Sequence, residues 1–306
     1  MELSPEQLKA ELADEAGHLG FDALGVAAPL ALTGEAARHQ EWAGRGYAGD
    51  KAYLTRNIAG RYDPRSLLPE CASVIVVAQS YYTAAPDWPR PGIARVARYA
   101  WGDDYHEVIR PRLEQLGRWL DERIAGHRWK ATVDTSPLSE KALAVAAGIG
   151  WRGKHSMVLN DRLGSYFLIG CLLTSTQLPV DQPLSDGCGD CTLCVDACPV
   201  GALTEPRVLD ASRCISFLNE HQRRAPAPGA KLAGWLYGCD ECQQVCPYNA
   251  TPLSTREPRL IPRPGILDLT AAEVLAMTPP QFEQRFQGTV IAEHGLEALQ
   301  AMARCL

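Results

Sequence analysis

The chain has 306 residues, 46% of them hydrophobic, and a formal net charge of −6 at pH 7. Length and apolar content allow a sizeable core in about two domains, and the acidic balance argues against a surface coated for nonspecific nucleic-acid binding while leaving room for a local basic groove. No apolar run approaches the roughly 18 residues of a membrane span. The start, MELSPEQLKAELADEAGHLG, has neither a basic segment nor an apolar signal core, so a cytoplasmic protein without membrane contact is expected.

In chain order, Ser4-Pro5-Glu6-Gln7 reads as a helix start, with Ser4 as N-cap, Pro5 at the first helical position and Gln7 closing a capping box. FDALGVA reads as a strand, residues 33–44 as a second helix ending at Gly44 and Gly46, and CASVIVVAQSYY as a fully buried strand. DDYHEVIRPRLEQLGRWLDERI has helical periodicity, with Val108, Leu113, Leu116, Leu120 and Ile124 on one face. WKATVD is a short strand ending at Asp134, SPLSEKALAVAAGIG a helix capped by Ser136, and LGSYFLIGCLLTS another apolar strand. Strands alternating with helices predict a mixed α/β (α+β) layered domain over residues 1–180. QLPVDQPLSDG is a proline-punctuated linker into a second region, 181–250, and TREPRLIPRPG leads into a short helical tail, 251–306.

The second region carries Cys188-x-x-Cys191-x-x-Cys194-x-x-x-Cys198-Pro199, the bacterial ferredoxin spacing in which the fourth cysteine serves a second cluster. Downstream stand Cys214 and then Cys239, Cys242 and Cys246 before Pro247. Eight candidate ligands suffice for two 4Fe-4S clusters. The spacing implies cross-ligation: Cys188, Cys191, Cys194 and Cys246 on one, Cys198, Cys214, Cys239 and Cys242 on the other. Paired zinc sites or disulfides explain neither the triple spacing nor the Cys-Pro endings. Cys71, Cys171 and Cys305 lie outside this pattern among apolar neighbours and are expected to be buried or inert thiols.

No nucleotide-binding glycine motif follows a strand, so electrons are expected from an external low-potential donor through the clusters. Asp134 closes a strand just before a helix, where α/β sheets place ligand sites; an ordinary turn or cap aspartate is the competing reading. In the following GIGWRGKHSMVLN, Gly148, Gly150 and Gly153 permit close approach to a large ligand, and Trp151, Arg152, Lys154 and His155 bring stacking and hydrogen-bonding groups to one loop. His155 reads equally well as a surface histidine.

The stretches VDTSPLSEKALAVAAGIGWRGKHSMVLN, RYAWGDDYHEVIRPRL, CGDCTLCVDACPVGAL, RCISFLNE and YGCDECQQVCPYN resemble the epoxyqueuosine reductase family over about residues 1–255. The resemblance implies a nitroreductase-like cobalamin-binding domain followed by a ferredoxin-like module, and reduction of epoxyqueuosine to queuosine at the wobble position of tRNA by a monomer. It puts the proton donor on Asp134 and the cobalamin contacts on Arg61, Asp134, Lys154, His155, Ser156, Met157, Gly164, Ser165 and Tyr166. Donation requires burial to raise the Asp134 pKa from its reference of about 3.9. Asp104-Tyr105-His106 begins a D-x-H-x-x-G cobalamin motif that Ile109 breaks, so no protein histidine is expected on cobalt. The tail FEQRFQGTVIAEHGLEALQAMARCL has few basic residues compared with longer family members, which shifts expected tRNA contact to Lys141, Arg223, Arg224 and Lys231. Two other readings share part of this pattern: a ferredoxin-like electron carrier without a substrate of its own, and a cobalamin-dependent reductive dehalogenase.

Overall fold

The computed structural model describes residues 3–84, 90–221 and 231–306. Its centre is a four-stranded sheet of β1 (Ala23–Ala27), β2 (Ser73–Ser80), β3 (Trp129–Thr132) and β4 (Phe167–Thr174), ordered β1-β2-β4-β3. Every pairing in it is antiparallel, which makes the layering α+β. Strand β2 is buried along its whole length, and successive side chains enter opposite cores. Ile75 and Val77 pack with Leu12 of helix α1 (Pro5–His18), while Val74, Val76 and Ala78 pack on the other face.

Local chemistry explains the helices around this sheet. Ser4 and Gln7 form the expected capping box on α1, and α2 runs over Thr33–Gly44 as read. Helix α3 (Tyr105–Asp121) buries Val108, Leu113, Leu116 and Leu120, although Pro111 lies inside it. A proline has no N–H for the carbonyl four residues earlier, and Arg259 Nη1 donates to that Glu107 oxygen at 3.1 Å.

Helix α4 (Glu140–Ala146) begins later than expected, and Ser136 is not its cap. Leu138 is drawn into the core and the Ser139 N–H donates to the Arg61 carbonyl at 2.8 Å, so the chain becomes helical only after both ties. Cys71 and Cys171 are buried as expected, whereas Cys305 is exposed; Met302 takes the inward position of that last turn.

The tail is not an appendage. Its helices Ala271–Ala276, Pro279–Phe286, Val290–His294 and Leu296–Ala303 share a core with Trp101, Trp235 and Leu236. A parallel strand pair, Arg95–Val96 with Trp235–Tyr237, runs through the same core. Segments 1–180, 181–250 and 251–306 therefore bury apolar surface together. Among the described residues no helix is long and apolar enough to cross a membrane. Leu299 is fully buried in this shared core, so Leu299→Ala is expected to cost about 2–5 kcal/mol in chemical denaturation. A cost below about 1 kcal/mol would mark the tail as loosely attached.

Candidate active site

Beyond the end of β3 the backbone turns, and Asp134 adopts φ 55°, a left-handed conformation unusual for a residue with a Cβ. Its N–H donates to Glu140 Oε1 at 2.8 Å, which fixes the turn against the start of α4. Its Oδ2 accepts from the Tyr105 hydroxyl at 3.1 Å and lies 3.7 Å from His106 Nε2. His106 Nδ1 is 2.7 Å from Asp104 Oδ1, which also accepts from the His106 backbone N–H. Asp134 thus caps no helix; it joins a cluster at the first turn of α3.

Charges in this cluster are strongly redistributed. The facing His106 imidazole, 3.7 Å away, holds the Asp134 carboxyl below its usual range, against a smaller opposing push from burial. The raised pKa expected for a proton donor is therefore not what the site produces: an adjacent cation outweighs desolvation. Although 69% of the Asp134 side chain is exposed, it sits in a concavity where neighbouring groups dominate. Burial opposes charge on His106, but Asp104 and Asp134 together outweigh it and raise the imidazole to about 9. Glu140 is pushed up to about 8, first by burial and then by the Asp134 charge.

Asp134 and Glu140 open onto a cavity of about 670 Å³ whose wall includes Arg61, Tyr62, Lys141, Arg152 and Ser156. Arg61 Nε and Ser156 Oγ are buried and have no hydrogen-bond partner, and Ser156 has φ 69°. A hairpin of Leu203–Glu205 and Val208–Leu209 closes one side.

The eight clustered cysteines lie close enough to influence one another, and Cys242 feels both Cys214 and Cys198 and also Cys194. Burial raises the thiols of Cys194 and Cys246, and each also feels Cys188; Cys194 feels Cys246, and Cys246 feels Cys191. Burial likewise raises Cys239, which feels Cys242 and Cys214, while Cys214 in turn feels Cys198. Cys191 is exposed at the surface.

Two family models match the sequence: epoxyqueuosine reductase QueG, DUF1730, over residues 61–135, and a 4Fe-4S double cluster binding domain over 187–249. An epoxyqueuosine reductase from Synechococcus sp. (strain CC9605) is 40% identical, with 94% of this chain matched to 89% of that one. The chain belongs to the epoxyqueuosine reductase family. A relative from Escherichia coli (strain K12) is 36% identical over 96% of this chain and 79% of its own length. A crystal structure of epoxyqueuosine reductase with a tRNA-Tyr epoxyqueuosine-modified stem loop superposes with a TM-score of 0.91 at 33% identity, covering 98% of this chain and 80% of that chain. The Bacillus subtilis enzyme, with its catalytic loop swung out of the active site, gives 0.90 at 33% identity over 98% and 81%. A catabolic reductive dehalogenase, at 15% identity and a TM-score of 0.50, shares the fold alone.

Within this family frame, the expected cofactor contacts divide. Arg61, Asp134 and Ser156 line the cavity. His155 is not on the surface: it is 3% exposed, burial holds its pKa down to about 4, and its Nδ1 accepts from the Met157 N–H. Met157 Sδ accepts from Lys141 Nζ at 3.3 Å. Lys154 instead reaches the Gly189 carbonyl at 2.6 Å, and Gly164, Ser165 and Tyr166 lie where the sheet domain meets the cysteine module. The glycines read as ligand-approach positions serve backbone packing: a Cβ on Gly150 would lie 2.0 Å from the Leu159 oxygen, and one on Gly148 2.6 Å from that of Gln182.

Lys141, read as a tRNA contact, is exposed to the cavity it lines, where enclosure by the walls and then the nearby Arg152 charge lower its pKa. Lys231 is exposed, and Arg223 and Arg224 lie outside the described residues. Sequence reasoning missed Tyr105, His106 and Glu140 as site residues. The signal was present in Asp104-x-His106, an N-cap carboxylate two residues from an imidazole. Because Glu140 alone accepts the Asp134 N–H, Glu140→Ala is expected to speed hydrogen exchange of that amide by about tenfold, the equivalent of one hydrogen bond. Unchanged exchange would mean the turn is held by other contacts.

Proposed function

We propose that the chain reduces the epoxide of epoxyqueuosine in the tRNA anticodon loop to the alkene of queuosine, with Asp134 handing a proton to the departing oxygen. The observation that carries this reading is the convergence of Asp134, Tyr105 and His106 at the wall of a large cavity, in a chain that also carries a match to a 4Fe-4S double cluster binding domain. The chemistry asks for both parts. Removing an epoxide oxygen as water consumes two electrons and two protons, so a low-potential electron supply must meet an acid at one place.

Cys188, Cys191, Cys194 and Cys246 would hold one 4Fe-4S cluster, and Cys198, Cys214, Cys239 and Cys242 the other. The cavity residues suit cobalamin: Arg61 Nε and Ser156 Oγ are unpartnered polar atoms that the amide-rich rim of a corrin can satisfy. When bound, cobalamin supplies a strongly reducing metal centre beside the substrate. Arg61 and Ser156 would orient it, Asp134 would face the epoxide oxygen, and the Leu203–Leu209 hairpin would limit access of water. An external low-potential donor feeds the clusters, and Lys231, Arg223 and Arg224 are proposed to meet tRNA phosphates.

Anaerobically prepared protein is expected to contain about eight irons per chain, and Cys214→Ala to lose one cluster with part of the iron and its visible absorption. Full iron retention in that variant would remove Cys214 from the ligand set. Asp134→Asn should keep iron, cobalamin and tRNA binding while single-turnover reduction falls by about 10² or more. Reduction at the wild-type rate would be decisive against Asp134 as the donor, and loss of cobalamin would make it a cofactor anchor.

A further inference from the structure

Asp134 is ionised in the resting site, so the proton it delivers has to come from somewhere else. The residues behind it are arranged for that supply. His106 Nε2 is buried, has no hydrogen-bond partner, and lies 3.7 Å from Asp134 Oδ2. The other face of the ring is tied to Asp104, whose Oδ1 receives both the His106 ring nitrogen and the His106 backbone N–H. Tyr105 stacks on the imidazole, with centroids 4.1 Å apart and planes 27° from parallel, while its hydroxyl binds the same Asp134 oxygen. The ring is therefore tied at Nδ1 and stacked on one face, with its unpartnered Nε2 facing Asp134.

Nothing in the helix itself calls for a cation there. His106 sits in the first turn of α3, where the positive end of the helix dipole disfavours an imidazolium. Burial disfavours it as well, yet the ring is raised to about 9 because two carboxylates flank it. The other charged or titratable groups around this cluster are Tyr105, with Tyr99 and Tyr237 behind it, and, around Asp134, Glu140, Lys141, Lys51, Tyr53 and Glu220. Purely structural roles for His106 would be met by a neutral ring.

We propose that His106, held by Asp104, is the positioning residue that stores the proton and passes it to Asp134 during epoxide reduction. This rests on the function proposed above. The His106 imidazolium gives its Nε2 proton to the ionised Asp134 at Oδ2, and Asp134 hands that proton to the oxyanion left by opening the first C–O bond. Breaking the second C–O bond forms the alkene and releases the oxygen with a second proton as water. Two electrons from the external low-potential donor complete the balance, and the neutral imidazole takes up its protons from solvent. The pair Asp104 and His106, a broken metal motif in the sequence, becomes a proton relay in the fold.

The test has one readout that needs no turnover. In protein carrying oxidised clusters, NMR titration of the seven histidines is expected to show His106 titrating near pH 9, and lower in Asp104→Asn and in Asp134→Asn. In single-turnover reduction by holoenzyme, the wild-type rate is expected to fall only above about pH 9. Asp104→Asn should move that fall toward about 6.5, the ordinary histidine value. His106→Gln, with iron, cobalamin and tRNA affinity intact, should be at least about tenfold slower at neutral pH and lose about tenfold per pH unit from 6 to 9, because Asp134 must then be protonated directly from water. A His106 that titrates near 6.5 in the wild type, or a His106→Gln enzyme with the wild-type pH profile, overturns the relay. If wild-type protein with full cofactors does not reduce epoxyqueuosine in tRNA, the substrate assignment fails instead, and the titration of His106 still decides whether the imidazole carries the stored proton.

Discussion

A buried amide, Asn249, joins the sheet domain to the cysteine module, and the geometry of the candidate site depends on it. Its Oδ1 accepts from the Ser165 N–H at 2.7 Å, and its Nδ2 donates to Ser165 Oγ and to the Gln243 carbonyl, both at 2.8 Å. Ser165 Oγ in turn donates to Gln243 Oε1 at 2.9 Å. All three side chains are below 9% exposed, so leaving any one unpaired costs about 1–3 kcal/mol. Such a network tolerates one register only. Gly164 has φ 61° for the same reason: a Cβ there would sit 2.0 Å from Asn249 Oδ1. Asn249 follows Cys246 by one short turn and Gln243 adjoins Cys242, so the joint ties both thiol groups to the start of β4.

From this joint the polar network continues inward. Gln243 Nε2 donates to Asp240, which accepts the Arg98 N–H at 2.9 Å and faces its guanidinium at 3.4 Å. Arg98 lies over the rings of Tyr166, Tyr82 and Trp101, which spreads a buried positive charge over π faces. A charge so enclosed is tolerable only because it is paired and hydrogen-bonded. The proton side is built on different elements, the first turn of α3 and the end of β3. In the proposed reaction, electrons and protons would thus reach the cavity from separate walls. A rigid connection serves the first and a chain of titratable groups the second.

The sequence carried the framework well where one physical cause dominates. The α1 capping box, the apolar face of α3 and the all-buried β2 follow from periodicity and caps, and cysteine spacing pointed to the double-cluster domain that spans 187–249. It failed where meaning depends on tertiary partners. Gly148, Gly150 and Gly153 look like ligand-approach glycines, but the atoms that require them are the Gln182 and Leu159 carbonyls and the Leu159 and His155 side chains, and Gly164, a cobalamin contact by family resemblance, is required by the Asn249 side chain. Lys154 and Tyr166 sit in motif-rich stretches and yet serve the joint or the cysteine module. The C-terminal helices read as a tail because their apolar faces are short, although they complete a core with Trp101 and Trp235. Glu140 looked like an ordinary first-turn acid, and only its bond to the Asp134 amide gives it a role.

The Asp134 turn is balanced near the point of release. A left-handed backbone at a residue with a Cβ costs on the order of 1–3 kcal/mol, with aspartate at the low end. What opposes that cost is one bond from its N–H to Glu140 and one from Tyr105 to its side chain. With Glu140 raised to about 8, and so protonated at neutral pH, the first is a neutral bond of about 0.5–1.5 kcal/mol. These magnitudes nearly cancel, so a modest change in charge can tip the turn. The His106 cation, attracted to the Asp134 carboxylate, is the group that holds it inward; once that proton has moved toward the substrate, the attraction falls away. In the proposed relay, the charge that would ready Asp134 for donation also helps to hold its turn against the first turn of α3, so passing the proton on would weaken that attraction.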